Sequence, residues 1–386
     1  MQHLDTIVSH YGWEGIALII ITLTLFSIQL GYWAMRYARI SKYKDSKRPS
    51  ILTATPSVSV VVPLFSEDYP FLDESLPLIM AQEGVDFEVV IVYVGSNKDF
   101  YDDLLRLKQL LPSIVVSKIE SNPRFPISVK TALNVGVKAS HYEHIIFCNT
   151  DCQPQSDRWL SLMASGFKRG DIVIGYTGLA KASGFANYFM RQNRMMNSVN
   201  WISSAIGGTP YRGARTNIGW TKSKYFESRG FTQLNMNIGE NDLFIQNLID
   251  HGAKVSVIIS PRATLRQKCW GGASWWFSEC RLYRSSFELY PSHIQNYELW
   301  ERRSRVLLAL STITMILCMP VEIKIAAAAL LLARAIIVFI TTRKISKRLG
   351  EEELSKGSLL YDILSPLYAI TLDLSLKVKR DSRVWR

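Results

Sequence analysis

The chain has 386 residues, of which 48% are hydrophobic and 20% charged, and its mean hydropathy of +0.06 lies between those of soluble enzymes and membrane proteins. This composition excludes a disordered chain, a collagen and a small disulfide scaffold. The 45 Lys and Arg residues against 33 Asp and Glu give a net charge of +12, which suits nucleic acid, anionic lipid or a phosphorylated ligand equally well. The five cysteines form no CxxC pair, so the sequence indicates neither a zinc site nor a disulfide framework.

The first apolar segment, residues 15–35, carries no charge and has the roughly 20 residues that a helix needs to cross the hydrocarbon core. A secretory signal would begin with basic residues and end at a cleavage site, but no Lys or Arg precedes position 36. We therefore expect a retained transmembrane helix. Six basic residues follow within residues 36–48, and by the positive-inside rule they place the middle of the chain in the cytoplasm.

The C-terminal third contains two more apolar runs, residues 306–320 and 325–342, separated by four residues and flanked by basic ones. This pattern predicts a hairpin of two transmembrane helices with both ends cytoplasmic. A re-entrant or interfacial hairpin is the alternative, because the first run is short and Arg334 lies within the second. The following stretch, residues 359–376, contains two aspartates and a proline and precedes a basic tail, so we expect an interfacial helix there.

Between these ends, the sequence alternates predicted strands with predicted helices. The strands are the apolar, β-branched runs 57–65, 87–95, 113–119 and 144–151. Strands separated by helices of about 10 to 15 residues predict an α/β fold with a mostly parallel sheet. In such sheets, ligands gather beyond the carboxyl ends of the strands.

Two acidic motifs in this region have a pattern that suits catalysis. Asn149 and Asp151 follow the fourth strand, and their two oxygen ligands on one face could hold Mg²⁺ or Mn²⁺ against a diphosphate. The alternative is that Asp151 only caps the next helix. Glu240 and Asp242 open a helix about 90 residues later, where they either complement the helix dipole or deprotonate an acceptor hydroxyl.

The segments SVSVVVPLFSED, NTD and GEND, together with the flanking apolar helices, resemble membrane-bound family 2 glycosyltransferases with the GT-A fold over residues 57–291. The resemblance implies a Rossmann-like domain that acts as an inverting hexosyltransferase. In that family a DxD motif binds the metal and the donor diphosphate, which corresponds to Asn149 and Asp151. The base lies in a second acidic motif, which corresponds to Glu240 and Asp242. The segment 210–223 resembles the part of the family that lines the donor and acceptor cleft.

Two groups of binding residues are expected on this basis. The donor site comprises Pro63, Phe65, Glu67, Gly95, Ser96, Asn149, Asp151, Arg215 and Asn217. The second group, in a basic stretch interleaved with tryptophans, comprises Arg266, Lys268, Trp270 and Arg281. One role for this group is to bind the diphosphate of the donor or of a lipid-diphosphate acceptor. The other is to form an interface helix on anionic lipid, and the two roles are compatible.

The sequence also departs from the family pattern. Family members usually have an acid after the second strand, in a pattern such as VDDGS, but this chain has YVGS there, so recognition of the nucleobase must differ or lie elsewhere in the chain. Asn241 occupies a position where an Asp often acts as base, which leaves Asp242 or Glu240, and Asp242 is the expected one. RQKCW at residues 266–270 only partly matches the QxxRW motif of processive synthases, so transfer of a single sugar is favoured over polymer synthesis.

The resulting hypothesis is a multi-pass protein of the inner or plasma membrane that transfers a sugar from a nucleoside-diphosphate donor to a hydroxyl of a lipid-linked or glycan acceptor, in cell-envelope polysaccharide assembly. A non-catalytic GT-A-like membrane scaffold and a processive synthase are the alternatives. Nucleic acid is not an expected partner, because much of the basic excess lies beside the predicted membrane segments. The predicted organisation is an extracytoplasmic terminus (1–14), a transmembrane helix (15–35), a basic linker (36–56), the catalytic domain (57–291), an amphipathic linker (292–305), a hydrophobic hairpin (306–342), and an interfacial helix with a basic tail (343–386).

Overall fold

The computed structural model describes residues 2–44, 55–120, 127–233, 239 and 241–378. Within these ranges the chain forms a sheet-containing domain between long apolar helices at its two ends. The strands are β1 (Val58–Leu64), β2 (Phe87–Val94), β3 (Ile114–Ile119), β4 (His144–Phe147), β5 (Cys152–Pro154), β6 (Ile172–Ile174), β7 (Thr177–Leu179), β8 (Ile218–Thr221), β9 (Val255–Val257) and β10 (Leu265–Gln267).

The helices alternate with these strands. They are α1 (Gln2–Leu30), α2 (Ala38–Lys42), α3 (Leu76–Met80), α4 (Lys98–Leu110), α5 (Val129–Ala139), α6 (Trp159–Gly166), α7 (Phe185–Ile206), α8 (Lys222–Glu227), α9 (Leu243–Asp250), α10 (Ala273–Ser285), α11 (Ser292–Cys318), α12 (Val321–Arg348) and α13 (Ser358–Val378). A π-helical segment, Gly31–Tyr37, joins α1 to α2, and a second one, Phe71–Ser75, leads into α3.

The main sheet has seven strands in the order β3-β2-β1-β4-β8-β6-β9. Its first four strands are parallel, β8 runs antiparallel to both β4 and β6, and β9 is parallel to β6. A smaller sheet has the order β5-β10-β7, in which β10 is antiparallel to β5 and parallel to β7. The predicted mostly parallel α/β fold is therefore confirmed.

Strands β1 and β2 form the centre of the domain because every residue of β1, and all of β2 except Phe87, is buried. Uninterrupted apolar runs are typical of parallel strands that helices cover on both faces. On one face α5 packs so closely that a Cβ at Gly136 would lie 2.4 Å from the Val61 side chain. This packing fixes the carboxyl ends of β1, β2 and β4 at one edge, where the predicted ligand residues follow.

Three helical segments are long and apolar enough to cross a membrane among the residues described: Gly12–Lys42, Val321–Arg348 and Glu352–Leu376. The predicted N-terminal helix is among them. α11 and α12 form a helical hairpin, but α11 begins at Ser292, within the predicted linker, and does not meet this criterion. Residues 359–376, which were expected to form an interfacial helix, lie in a segment that does meet the criterion of length and hydropathy. Which of these helices span a membrane stays a prediction.

A polar network joins the apolar helices. Arg334 of α12 pairs with Asp362 of α13, and Arg305 of α11 donates to the same carboxylate at 3.0 Å. Arg334 also donates to the Gln29 side chain of α1, at 3.0 Å. Charged residues in apolar helices usually face a helix bundle and pair there. The charge of Arg334, which lies within the apolar run of α12, is thus neutralised by Asp362 within the protein.

Candidate active site

A cleft of about 200 Å³ opens at the carboxyl edge of the main sheet, beside the ends of β1 and β4. Parallel strands place their following residues together at this edge. The lining includes five of the predicted donor residues, which are Pro63, Phe65, Asn149, Asp151 and Arg215. The structure therefore brings the predicted metal residues and the end of the first strand into one site.

Asp151 is held in place from the smaller sheet. Its Oδ2 accepts hydrogen bonds from Gln267 Nε2 at 2.8 Å and from Trp270 Nε1 at 3.3 Å. Its backbone carbonyl accepts from the Lys268 N–H at 2.7 Å, which continues the pairing of β5 with β10. Asp151 Oδ1 contacts only the weak thiol donor of Cys152, at 3.4 Å, among the residues described. One carboxylate oxygen is therefore oriented by two donors, and the other stays available to a ligand.

The donor set fits a divalent cation that is shared with a diphosphate. Asn149 lines the cleft and is positioned through its backbone, since its N–H donates to Thr216 Oγ1 at 3.2 Å. In the described parts of the chain, no three His, Cys, Asp or Glu side chains come together as a metal site. Mg²⁺ is commonly bound by one or two protein carboxylates together with substrate phosphates and water. Asp151 and Asn149 match that limited contribution.

At the end of β2, the missing family acid is replaced by a tyrosine. Tyr93 is buried, and its hydroxyl donates to Glu67 Oε1 at 3.1 Å and accepts from the Asn97 N–H at 3.2 Å. The Tyr93 ring fills the space beside Gly95, where a Cβ would lie 2.3 Å from it. Glu67 thus brings a carboxylate to the end of β2 from the neighbouring strand.

A second acid, Glu120, directly follows β3, the strand next to β2 in the sheet. Glu120 forms an ion pair with Lys118 at 2.7 Å, and this hydrogen bond, with a further one from Ser96, lowers the pKa of Glu120. Ser96 therefore lies close to an ionised carboxylate. The sequence pattern of the family does not point to Glu120.

Asp242 lies in the interior, with only 2% of its surface exposed. Its Oδ1 accepts from the Leu243 N–H at 2.7 Å as the N-cap of α9, and its Oδ2 accepts from Tyr290 Oη at 2.8 Å and from the Ser286 hydroxyl. The preceding Asn241 exchanges two hydrogen bonds with Gly213, at 2.8 and 3.0 Å. Glu240 lies outside the described residues.

Other predicted site residues have partners away from the cleft. Asn217 is fully buried, where its side chain accepts from Trp159 at 2.8 Å and donates to two backbone carbonyls, so it supports the core. Arg266 pairs with the buried Glu351, and Lys268 pairs with Glu74 at 2.6 Å. Arg281 lies on α10 and does not line the cleft.

Gln267 is the residue at this site that the sequence analysis missed. It holds Asp151 with one end of its amide and accepts from Arg194 Nη2 at 2.8 Å with the other. The signal that could have identified it is RQKCW, which has the Gln and the Trp of QxxRW, although Trp270 follows Gln267 by three positions and not by four. Arg194 lies within the long helix α7 and has no comparable motif around it.

The cysteines are free thiols, as expected from their spacing. Burial, followed by the neighbouring charge of Asp151, raises the pKa of Cys148 and of Cys152 well above the ordinary value. Both thiols therefore stay protonated. They are packing residues beside Asp151 and not nucleophiles.

A mostly parallel sheet whose fourth strand leads to an oriented aspartate in a ligand-sized cleft is the arrangement of GT-A nucleotide-sugar transferases. Residues 59–245, just under half of the chain, match the model of the family Glycosyl transferase family 2. The protein is thus a glycosyltransferase that uses a nucleotide sugar.

The solved structures include a protein similar to this chain over most of its length. It is the mannosyltransferase PcManGT from Pyrobaculum calidifontis in complex with GDP-Man and Mn²⁺. The two have 16% sequence identity and a TM-score of 0.53, and the match covers 90% of this chain and 99% of the other. At this identity the likeness shows the shared fold. A comparison with curated proteins found no match.

Proposed function

We propose that this protein is an inverting, metal-dependent transferase that moves one sugar from a nucleoside diphosphate to a hydroxyl of a lipid-linked acceptor, in the assembly of a surface glycan. The observation that carries this proposal is Asp151, a residue of the cleft wall, because two donors orient one of its oxygens while the other has only the weak thiol contact of Cys152. The inverting outcome is taken from the family resemblance. The apolar helices that flank the catalytic domain favour an acceptor at the membrane surface.

Asp151 and Asn149 are the proposed metal ligands. A bound Mg²⁺ or Mn²⁺ would neutralise the diphosphate as it leaves. The solved mannosyltransferase that shares this fold is in complex with GDP-Man and Mn²⁺, which supports a divalent metal and a nucleotide sugar as the ligands of the cleft. On the protein side, Gln267 and Trp270 fix the carboxylate before the donor binds, so less reorganisation is needed when charge develops.

The donor nucleoside is proposed to lie between the ends of β1 and β3. Pro63 and Phe65 offer apolar surface, and 43% of the Phe65 surface is exposed for stacking. Glu67 and Ser96 stand at the end of β2, where the family usually places an acid. We propose that Glu67 replaces that acid as the acceptor of hydrogen bonds from the nucleoside.

The acceptor hydroxyl needs a base, and Glu240 and Asp242 are the two candidates. Because Asp242 already accepts three hydrogen bonds and is buried, we propose that Glu240 takes the proton and that Asp242 anchors the start of α9. A catalytic base has to reach the proton it removes. The base is then the residue that follows Gly239 and not the helix cap.

The metal assignment is tested by calorimetric titration of the detergent-purified protein with UDP, GDP and dTDP, each with Mn²⁺ and with EDTA. We expect one nucleotide to bind only with Mn²⁺, and Asp151→Ala to abolish that binding. Asp157→Ala, an exposed acid six residues further on, is the matched control and retains it. Full activity of Asp151→Ala with the natural donor would overturn the assignment.

The base assignment is tested with Glu240→Gln and Asp242→Asn. Glu240→Gln should lower kcat by about 10²-fold or more while metal-dependent nucleotide binding is retained, since general base catalysis contributes about 10²- to 10⁴-fold. Asp242→Asn should lower the thermal unfolding midpoint. If Asp242→Asn lost turnover at unchanged stability while Glu240→Gln stayed active, Asp242 would be the base.

A further inference from the structure

The Gln267 side chain lies between a cation and a carboxylate. Its carbonyl oxygen Oε1 accepts from Arg194 Nη2 at 2.8 Å, and its amide Nε2 donates to Asp151 Oδ2 at 2.8 Å. Arg194 lies on α7, Gln267 lies on β10, and Asp151 directly precedes β5, so three separate elements meet in this chain of hydrogen bonds. Arg194 and Gln267 are both buried, so water competes little for the contact between them.

The chemistry of these two neighbours decides which way the Gln267 amide points. A guanidinium has only hydrogen-bond donors, and an ionised carboxylate has only acceptors. If the amide turned over, its NH₂ group would face Arg194 and its carbonyl would face Asp151 Oδ2, so both hydrogen bonds would be lost. Asp151 restrains only the donor end of the amide. Arg194 restrains the other end and satisfies a buried carbonyl that is costly to leave without a partner.

Arg194 is itself held in place by α10. Its guanidinium carbon lies 5.1 Å from the centre of the Trp276 ring and 5.4 Å from that of Tyr283, and its Nη1 donates to Tyr283 Oη at 3.2 Å. Burial acts to lower the pKa of Arg194, but Tyr283 nearby raises it, and the resulting pKa lies above the ordinary value. Arg194 therefore stays protonated and offers only donors to Gln267.

The orientation of Gln267 matters because the two oxygens of Asp151 differ in their contacts. Oδ2 accepts from Gln267 and Trp270, whereas Oδ1 contacts only the Cys152 thiol among the residues described. The hydrogen bond from Trp270 is the longer of the two, at 3.3 Å, and the Trp270 side chain is exposed. Gln267 is thus the main restraint on rotation of the Asp151 carboxylate.

We propose that Arg194 is a positioning residue of the metal site and acts through Gln267, whose amide it holds in the orientation that donates to Asp151. Arg194 does not line the cleft, so it reaches the site only through this contact. The consequence for a metal rests on the proposed function, because Asp151 is a proposed metal ligand there. Residues that orient metal ligands change metal affinity or activity by about 10- to 100-fold when they are mutated.

The first test is calorimetric titration of the detergent-purified, full-length protein with UDP, GDP and dTDP at saturating Mn²⁺. Arg194→Met removes the donors and leaves a flexible apolar side chain that packs well against aromatic rings. We expect it to weaken Mn²⁺-dependent nucleotide binding by about tenfold or more. Arg194→Lys keeps a donor for Gln267 Oε1 and should recover part of the lost affinity. Unchanged or tighter binding in Arg194→Met would overturn the proposal.

A double-mutant cycle separates positioning from packing. Gln267→Leu removes the amide, so Arg194→Met should cost no further nucleotide affinity in that background. Changes at sites that act independently are instead additive. Additive losses in the double variant would therefore overturn the proposal, since they would show that Arg194 acts on the site without Gln267.

Arg36 provides the matched control. It is 4% exposed, against 7% for Arg194, and its guanidinium carbon lies 3.5 Å from the centre of the Tyr297 ring. Its Nη2 donates to the backbone carbonyl of Asn200 at 3.0 Å. Arg36→Met should therefore lower the thermal unfolding midpoint and leave nucleotide binding unchanged. An equal loss of binding in Arg36→Met would show that any buried arginine has this effect, which would overturn the proposal.

A readout without metal or nucleotide separates this proposal from the proposed function. In protein labelled with fluorotryptophan, the ¹⁹F NMR signal of Trp270, assigned with Trp270→Phe, reports the hydrogen bond from its indole to Asp151. Arg194→Met and Gln267→Leu should shift this signal in the same direction, and Arg36→Met should not. If the unchanged protein bound no nucleotide but the signal shifted in this way, the transferase proposal would fail and the role of Arg194 would stand. Nucleotide binding with an unshifted signal in Arg194→Met would remove only the role of Arg194.

Discussion

The buried cluster around Glu351 gives the sharpest stability prediction. Glu351 follows α12 and is 1% exposed, and its carboxylate accepts from Arg191 Nη2 at 2.7 Å, from Tyr176 Oη at 3.1 Å and from Arg266. Arg191 also pairs with Glu353, whose side chain is 38% exposed. Glu351→Gln and Glu353→Gln remove the same charge from two acids that share Arg191, but Glu351 is buried and also accepts from Tyr176 and Arg266, whereas Glu353 is partly exposed and also pairs with Lys181.

The expected magnitudes differ severalfold. Removing one partner of a buried ion pair costs about 3–5 kcal/mol, and we take about 3 for Glu351→Gln, because Arg191 keeps Glu353 and Arg266 keeps the Gly350 carbonyl at 2.7 Å. An exposed pair contributes about 0–1 kcal/mol, which is the expected cost of Glu353→Gln. In a domain of this size, each kcal/mol lowers the unfolding midpoint by about 2–4 °C. The predicted shifts are about 6–12 °C for Glu351→Gln and below about 4 °C for Glu353→Gln.

Differential scanning fluorimetry of the detergent-purified variants measures both shifts. Tyr176→Phe removes one neutral donor from the same carboxylate and should fall between them, at about 1 kcal/mol. Equal shifts for the two glutamate variants would refute the argument, since they would show that burial of Glu351 does not set the energy of this network.

Three further predictions follow from the site and the helices. Gln267→Leu frees Asp151 from one of its two donors and should weaken Mn²⁺-dependent nucleotide binding about tenfold at unchanged fold, as titration calorimetry would show. Arg334→Leu should lower the thermal midpoint, and the double variant with Asp362→Leu should lower it by less than the sum of the single changes, because each single change leaves a partner unpaired. Burial raises the pKa of Cys280 to about 11, so iodoacetamide at pH 8 should not alkylate it in the folded protein, and should do so as pH approaches 11 or after unfolding, as mass spectrometry would detect.

The elements that the sequence predicted well are those with strong local patterns. β1 and β2 are uninterrupted apolar runs, and the fold class follows from their alternation with helices. Asp151 was predicted because a strand leads straight into it. The helical stretch at residues 69–80 contains the π-helical segment Phe71–Ser75 before α3, a local distortion that no hydrophobic periodicity reveals.

The parts that were not predicted depend on contacts between distant segments. β10 has three residues, too few for any periodicity, and only its pairing with β5 places Gln267 against Asp151. Two hydrogen-bond partners of Asp242 come from residues 286 and 290, more than 40 positions away, so the sequence around Asp242 does not reveal how its carboxylate is held. Nothing in the sequence of α7 distinguishes Arg194 from the other polar residues of that helix, so its contact with Gln267 could not be predicted.

β10 connects the apolar helix α12 to Asp151, the proposed metal ligand. Arg266 on this strand pairs with Glu351, which directly follows α12. The adjacent Gln267 donates to Asp151 and accepts a hydrogen bond from Arg194 of α7. A displacement of α12 would therefore move Arg266 and its neighbour together, since both belong to one extended backbone segment. For this reason Glu351→Gln should weaken Mn²⁺-dependent nucleotide binding as well as stability, whereas Glu353→Gln should leave that binding unchanged. Loss of stability with full nucleotide affinity in Glu351→Gln would show that the strand keeps its position without the anchor.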